Sequence, residues 1–251
     1  MRPIGIIKIG TSNTGLFAAA DLSVPLVRQG RLIALQDPST WNTLTQTLVD
    51  YTKILKDLKV YSGLVSGGQA IRQHQALRHH IRELGLPLWT VSSVLEGWLT
   101  WCAVKSELPE VSTIIDVGGG STEVVTGHRV WTIPAGAAQV TNVGTWPHID
   151  SAGGTTALVG GTAYGLEQMA GPGRITRAQL IELLAAVLSP SPPRAFWDID
   201  APRRDLVVGG SRVLSDLVPA LDSTQFLFAH RGFVEGLWLA ASLGRARLIG
   251  L

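Results

Sequence analysis

Residues 114–123 read Ile114-Ile115-Asp116-Val117-Gly118-Gly119-Gly120-Ser121-Thr122-Glu123. The apolar start predicts a buried strand, and the three glycines after it predict a tight turn. Glycine lets the backbone N–H groups of such a turn approach a ligand closely, and consecutive N–H groups form a concave site for anions. A phosphate group is therefore the natural ligand of this turn.

Two other segments have the same construction, an apolar run followed by a turn rich in glycine and hydroxyl residues. In residues 6–13 the turn contains Gly10, Thr11, Ser12 and Asn13. In residues 158–163 the turn contains Gly160, Gly161 and Thr162. Each of these turns alone is also typical of an ordinary hairpin. Three in one chain favour phosphate binding, although none has the Gly-Lys-Ser/Thr of a Walker loop or the G-x-G-x-x-G dinucleotide fingerprint.

Strands and helices are predicted to alternate along the chain, which is typical of an α/β fold. Residues 4–9 and 16–20 predict an opening hairpin, and residues 41–58 and 70–84 have apolar side chains at helical spacing. The apolar run at residues 206–208 predicts a strand. We expect two domains, residues 1–123 and 124–251, with the last helix packing back on the first domain.

The composition excludes several classes of protein. The 251 residues are 45% hydrophobic and 16% charged, which allows a substantial core and argues against global disorder. A net charge of +2 gives little attraction for nucleic acid, and the single cysteine, Cys102, excludes an intramolecular disulfide and a multi-cysteine zinc site. The sequence has neither a signal-peptide pattern nor an apolar run long enough to span a membrane. We expect a cytoplasmic protein that binds neither nucleic acid nor membranes, with a homodimer as one expected assembly.

The segment from Asp116 to Glu123 resembles the second phosphate motif of the exopolyphosphatase / guanosine pentaphosphate phosphohydrolase (Ppx/GppA) family, which belongs to the actin, Hsp70 and sugar-kinase superfamily. The resemblance extends nearly end to end, in the family's order. It includes the opening hairpin and residues 65–72, 91–99, 136–141, 160–163, 204–214 and 232–237. It implies two ribonuclease-H-like (actin-like ATPase) domains with mixed sheets that face a central cleft.

The resemblance also implies an activity and residue roles. Members of the family remove a terminal phosphate from polyphosphate or from guanosine pentaphosphate, using Mg²⁺ or a similar divalent ion and a water activated by a glutamate. By position, Glu96 would be the general base, Asp116 would hold the metal ion or its water shell, and Glu123 would lie close by in the site. The residues implied to bind phosphate are Gly10, Thr11, Ser12, Asn13, Arg72, Gly118, Gly119, Gly120, Ser121, Thr122, Gly160, Gly161 and Thr162.

Two positions depart from the family pattern. Lys8 stands where the first phosphate motif normally has an aspartate, a change that should weaken the binding of a divalent ion. Lys8 would either contact a phosphate directly or pair with Asp116 or Glu123 and inactivate the site. The segment around Glu96 lacks the family's adjacent acidic residues, so Glu96 would be either the base or a solvated carboxylate on a helix.

The function expected from these observations is a phosphoanhydride hydrolase that acts on polyphosphate or a phosphorylated nucleotide. Lys8 leaves a first alternative open, a catalytically impaired sensor that binds phosphate or a nucleotide on the same fold. The superfamily leaves a second alternative open, an ATP-dependent kinase.

Overall fold

The computed structural model of the chain describes residues 3–35, 37–86, 88–127, 129–139, 149 and 153–243. These residues divide into two compact units. The first comprises the described residues of Met1–Leu99 and Phe233–Leu251, and the second those of Thr100–Gly232. This division differs from the expected boundary after residue 123, because the strands that surround the triple glycine pair within the second sheet. The last helix belongs to the first unit.

The regular elements follow one another along the chain. The first part contains β1 (Ile4–Ile9), β2 (Asn13–Ala19), β3 (Pro25–Leu32), α1 (Trp41–Asp57), β4 (Tyr61–Gly67), α2 (Gln69–Gln73), α3 (Gln75–Glu83), β5 (Leu88–Thr90) and α4 (Ser93–Glu107). The remainder contains β6 (Thr113–Val117), β7 (Thr122–Thr126), β8 (Arg129–Ile133), β9 (Thr155–Val159), α5 (Gly160–Ala170), β10 (Arg174–Thr176), α6 (Arg177–Leu188), α7 (Arg194–Trp197), α8 (Ala201–Leu217), β11 (Gln225–Phe228) and α9 (Phe233–Ser242). Among the described residues, no helix is both long enough and apolar enough to cross a membrane.

The first unit is built on a five-stranded sheet with the order β3-β2-β1-β4-β5. The first three strands of this order are antiparallel neighbours, and β1, β4 and β5 run parallel. Helix α1 covers the sheet with side chains at helical spacing, including Leu44, Leu48 and Leu55, all of which are buried. The predicted opening hairpin and first helix are therefore confirmed.

The helix predicted over residues 70–84 is interrupted at one residue. His74 has an extended backbone, with φ −107° and ψ 98°, and separates α2 from α3. The Arg78 guanidinium donates hydrogen bonds to the carbonyls of Ile71 and Arg72, at 2.7 and 2.6 Å. These bonds satisfy carbonyl groups that the end of α2 leaves without helical partners.

The second unit repeats the strand pattern of the first. Its six-stranded sheet has the order β10-β11-β9-β6-β7-β8. Strands β6, β7 and β8 are antiparallel neighbours, β6, β9 and β11 run parallel, and β10 adds an antiparallel strand at the edge. The predicted α/β class with mixed sheets is confirmed.

The strand predicted at residues 206–208 is wrong, because these residues lie inside α8. A short apolar run does not distinguish a buried strand from a buried helical segment by its period alone. Pro202 lies in the first turn of this helix, where its fixed φ is favourable. Val207, Val213 and Leu214 of α8 are buried in the main core of the second unit.

Helix α9 packs on the first unit through a glycine. A Cβ atom added at Gly236 would lie 2.0 Å from the carbonyl oxygen of Leu99 in α4. Phe233 and Trp238 of α9 are buried in the same cluster as Leu99. The indole N–H of Trp238 donates to the carbonyl of Ala19 at 2.9 Å.

The substitution Gly236→Ala should lower the free energy of unfolding by about 1–3 kcal/mol, because overpacking against a rigid backbone outweighs the better helix propensity of alanine. Urea unfolding followed by circular dichroism measures this loss. Gly127→Ala is the control, since its Cβ atom would have its nearest neighbour at 3.9 Å. Equal stability of Gly236→Ala and the wild type would contradict the tight packing of α9.

Candidate functional site

The triple-glycine turn joins β6 to β7 in the second unit. The N–H of Gly118 donates to the carbonyl of Ser121 at 2.9 Å and closes the turn. A segment after β8 in the chain then forms hydrogen bonds with the turn. The N–H groups of Ala137 and Ala138 donate to the carbonyls of Gly118 and Gly119, both at 2.8 Å. The carbonyl groups of Gly118, Gly119 and Ser121 are therefore engaged by the protein itself.

The contact between the turn and this segment is close enough to require glycine. A Cβ atom added at Gly136 would lie 2.6 Å from the nitrogen of Gly120 and 2.7 Å from the carbonyl oxygen of Gly118. Thr122 adds a buried hydrogen bond from its hydroxyl to the carbonyl of Ala135, at 2.7 Å. We call residues 135–138 the bracket. The family resemblance covers residues 136–141 here, of which residues 140 and 141 lie outside the described part of the chain.

The bracket leaves the donors of the turn available for a ligand. In the described part of the chain, no acceptor receives the backbone N–H groups of Gly119, Gly120 or Ser121. Gly120 and Ser121 are buried, and a buried N–H group without an acceptor is costly. Successive donors in a glycine turn bind an anion. This arrangement supports the predicted phosphate contacts of the turn.

Two carboxylates lie beside this turn. Asp116 of β6 is directly opposite Glu123 of β7 in the antiparallel pairing, so both side chains project from the same face of the sheet. The hydroxyl of Thr100 donates to Asp116 Oδ2 at 3.3 Å, and that of Ser121 donates to Glu123 Oε1 at 3.0 Å. Glu123 is only 2% exposed. The structure thus brings the predicted pair together and adds Thr100, which no sequence pattern singled out.

The third glycine segment is the first turn of α5, whereas the sequence predicted a separate turn. Gly160 has a φ of +91°, and a Cβ atom there would lie 3.0 Å from Asp116 Oδ1. The Asp116 carboxylate therefore lies at the positive end of the α5 dipole, which stabilises a negative charge. Arg203 brings a cation to the same turn, since its guanidinium lies 3.8 Å from the Cβ position of Gly161.

Thr162 has a different environment from that expected of a phosphate ligand. Its side chain is 1% exposed, and its hydroxyl donates to the carbonyl of Leu206 at 3.4 Å. A Cβ atom at Gly210 of α8 would lie 2.1 Å from this hydroxyl oxygen. The side chain of Thr162 thus packs α5 against α8, and only its backbone N–H faces the same direction as the other amides that start the helix.

The first unit contains an equivalent hairpin turn between β1 and β2. The N–H of Gly10 donates to the carbonyl of Asn13 at 2.8 Å, as Gly118 does to Ser121. The N–H groups of Ile33 and Leu35 donate to the carbonyls of Ser12 and Thr11, at 3.0 and 3.1 Å. These two bonds repeat the role of the bracket.

Polar groups of this first turn also lack partners within the described residues. The Ser12 hydroxyl is buried, and none of the described residues forms a hydrogen bond with it. The Asn13 side chain lies over β3, with Oδ1 3.3 Å from the Cβ position of Gly30. The structure therefore leaves Ser12 available for a ligand and directs Asn13 toward the neighbouring strand.

Lys8 occupies the position in the first hairpin that Asp116 occupies in the second. Lys8 pairs with Gly15 across β1 and β2, as Asp116 pairs with Glu123. Its Cε atom lies 3.6 Å from the Cβ position of Gly10, and its ammonium lies 5.7 Å from the ring centroid of Phe233. Among the described residues of its own unit, no carboxylate lies within 4 Å of this ammonium. The Lys8 side chain thus lies beside the turn.

Glu96 and Arg72 form an ion pair in the first unit. Arg72 Nη1 donates to Glu96 Oε2 at 3.1 Å and to the carbonyl of Val91 at 2.8 Å. The Glu96 side chain is 13% exposed, which excludes the solvated surface carboxylate that the sequence left open. Both its oxygens lie 3.3 Å from the Cβ position of Gly68, so a larger residue there would displace the carboxylate. Arg72, predicted to neutralise a phosphate, is already bound to the predicted base.

Known proteins share this architecture. The chain is 19% identical to a Ppx/GppA family member from Aquifex aeolicus, with a TM-score of 0.78 and coverage of 97% of this chain and 98% of that one. It is 17% identical to an exopolyphosphatase from Cytophaga hutchinsonii, with a TM-score of 0.79 and coverage of 97% and 98%. An exopolyphosphatase-like protein matches with 17% identity, a TM-score of 0.81 and coverage of 98% and 99%. No curated protein matches the sequence.

In sequence, residues 34–144 match the family model described as the Ppx/GppA phosphatase family. The resemblance to the Ppx/GppA family is confirmed. The matched residues include Arg72, Glu96 and the triple glycine. The ribonuclease-H-like, actin-like fold of the Ppx/GppA proteins is confirmed as well, by the structural matches over nearly the whole chain.

A double-mutant cycle on Arg72→Ala and Glu96→Ala should give a coupling energy of about 1–3 kcal/mol, because the pair is partly buried and hydrogen-bonded. Arg174 and Glu110 are the control pair, since they lie 3.5 Å apart with side chains 48% and 45% exposed. Their coupling energy should be about 0–1 kcal/mol. Denaturant unfolding of the single and double variants measures both coupling energies. A coupling energy for Arg72 and Glu96 as small as that of the control pair would contradict the structural role of this ion pair.

Proposed function

We propose that this chain is a phosphoanhydride hydrolase that releases the terminal phosphate of polyphosphate or of a related nucleotide. The observation that carries the proposal is the bracketed turn, whose carbonyls are engaged and whose N–H groups at Gly119, Gly120 and Ser121 are available. Phosphoryl transfer depends mainly on positioning and on neutralising oxygen charge, and such donors supply both. The name exopolyphosphatase of the Cytophaga hutchinsonii relative agrees with this substrate class.

In this proposal Glu96 is the general base that takes a proton from the attacking water. A base must be held in a defined direction to accept a proton efficiently, and the Arg72 guanidinium and the close approach to Gly68 hold Glu96 in this way. Arg72 acts on the reaction through Glu96. This role differs from the direct phosphate contact that the family resemblance implied.

The residues around Asp116 fit a divalent ion. Asp116, Glu123 and Thr100 offer only oxygen atoms, which Mg²⁺ prefers, and Mg²⁺ commonly takes only one or two carboxylates and keeps its remaining waters. Asp116 would hold the ion or its water shell, with Glu123 beside it. Bound there, the ion would neutralise charge on phosphate oxygens. The described residues contain no group of three or more His, Cys, Asp or Glu side chains that could hold a metal, at Asp116 or elsewhere, so an ion beside Asp116 and Glu123 would keep several of its waters.

Lys8 supplies a positive charge at the first turn. Its ammonium lies near Gly10 and has no carboxylate partner among the described residues of its unit, so it is available to contact a phosphate. A lysine binds phosphate as a compact point charge. We therefore favour a working role for Lys8 over an inhibitory one.

A phosphate-binding sensor without turnover is the second candidate. The presence of Lys8 where the family's first phosphate motif has an aspartate favours it. Both candidates predict binding of tripolyphosphate, and only the hydrolase predicts release of inorganic phosphate from it. Measuring release with Mg²⁺ and with EDTA separates them. Binding without release in either condition would favour the sensor.

The variants Asp116→Asn and Glu96→Gln should each lower phosphate release from polyphosphate at least about 100-fold, because each removes a charge that acts on the reacting groups. Both variants should stay folded, as judged by circular dichroism. Asp205→Asn and Glu182→Gln are matched controls at exposed positions and should retain wild-type release. Wild-type turnover in both site variants would show that the assignment of these residues is wrong.

Lys8→Gln should raise the KM for polyphosphate about tenfold, since it removes a charge-assisted contact to phosphate. Lys8→Asp should raise it further, because the local charge then changes by two units. Lys56→Gln, at an exposed position of α1, is the control and should leave KM unchanged. A gain of Mg²⁺-dependent release in Lys8→Asp would show instead that Lys8 impairs the natural protein.

A further inference from the structure

Two adjacent glycines of α8, Gly209 and Gly210, pack against the residues that support the triple-glycine turn and the first turn of α5. We call these two turns the anion-binding segments. A Cβ atom added at Gly209 would lie 1.9 Å from the carbonyl oxygen of Ala137, in the bracket. A Cβ atom added at Gly210 would lie 2.1 Å from the hydroxyl oxygen of Thr162, in the first turn of α5. Two neighbouring residues of α8 therefore contact both Ala137, which lies in the bracket, and Thr162, which lies in the first turn of α5.

The contact at Gly209 reaches the glycine turn through one rigid group. The carbonyl of Ala137 and the N–H of Ala138 belong to the same planar peptide. Its oxygen lies against Gly209, and its N–H donates to the carbonyl of Gly119 at 2.8 Å. A displacement of the oxygen therefore moves the N–H that holds the turn.

The contact at Gly210 reaches the start of α5. Thr162 is the third residue of α5, and its side chain is enclosed, with 1% exposure. The nearest atoms to a Cβ at Gly210 are all in the Thr162 side chain, at 2.1, 2.5 and 2.8 Å. A larger residue at position 210 therefore pushes the turn that contains Gly160 and Gly161.

Helix propensity alone does not explain these glycines. Glycine in the middle of a helix is less favourable than alanine, and both positions lie well inside the 17 residues of α8. Gly165 of α5 lies at the same helix pair, but its Cβ position is nearest to a side-chain atom, Val207 Cγ2, at 2.3 Å. Gly165 therefore contributes to packing without contacting the bracket.

We propose that Gly209 and Gly210 are positioning residues, which set the placement of the triple-glycine turn relative to the start of α5 so that both bind one phosphate group or adjacent groups of a phosphate chain. This inference rests on the proposed function. Residues 209 and 210 touch no ligand themselves. They act through the Ala137–Ala138 peptide and through Thr162.

The test measures the affinity of the full chain for tripolyphosphate in EDTA by calorimetry, together with phosphate release in Mg²⁺ and the midpoint of thermal unfolding. Gly209→Ala should weaken binding about tenfold or more, because small misplacements of binding groups have large effects. Gly165→Ala should lower the unfolding midpoint while the affinity stays at the wild-type value. A loss of affinity in Gly209→Ala but not in Gly165→Ala separates a positioning role from a general loss of packing.

A second variant pair keeps the test decisive if Gly209→Ala does not fold. Gly210→Ala should also weaken binding, and adding Thr162→Ala should restore part of the affinity, because it removes the two closest atoms. Wild-type affinity in a folded Gly209→Ala, no recovery in the Gly210→Ala/Thr162→Ala variant, or equal weakening by Gly165→Ala would each overturn the proposal. Wild-type chain that binds tripolyphosphate without releasing phosphate would refute the hydrolase and leave this inference standing, whereas wild-type chain that does not bind would refute both.

Discussion

The peptide group between Ala137 and Ala138 is the constraint on which the triple-glycine turn of the second unit depends. Its N–H engages the carbonyl of Gly119, the preceding N–H engages that of Gly118, and its oxygen lies against Gly209 of α8. Because peptide carbonyls and N–H groups point in opposite directions in a tight turn, fixing the carbonyls from one side leaves the donors on the other. An anion that accepted those donors would complete the hydrogen bonding of the Gly120 and Ser121 backbone, for which the described residues offer no acceptor.

The same device occurs twice, with opposite charge beside it. Each unit has three antiparallel strands followed by two parallel ones, and each opens on a hairpin whose turn is held by two later N–H groups. At equivalent positions one hairpin has Lys8 and the other Asp116. The repeated backbone therefore carries an ammonium beside one turn and a carboxylate beside the other.

Short sequence patterns predicted the elements that depend only on neighbouring residues. The β1–β2 hairpin, α1 and the turn at Gly118 follow from short runs of apolar residues and glycines, and the structure has them where they were expected. The strand predicted at residues 206–208 was wrong because a run of three apolar residues fits a helix as well as a strand. The turn predicted at residues 160–162 is the start of a helix, because glycine at a helix start resembles glycine in a turn. The Arg72–Glu96 pair and the bracket join segments distant in sequence. No local pattern in the sequence predicts contacts between segments so far apart.

Backbone amide NMR during a titration with tripolyphosphate tests the central claim most directly, because it observes the proposed donors themselves. The N–H resonances of Gly119, Gly120 and Ser121 should shift downfield in a saturable way, as expected for new hydrogen bonds to phosphate oxygens. The N–H resonances of Ala137 and Ala138, which already donate to Gly118 and Gly119, should shift much less. Large shifts confined to exposed lysines and arginines, with the three turn amides unchanged, would contradict the account.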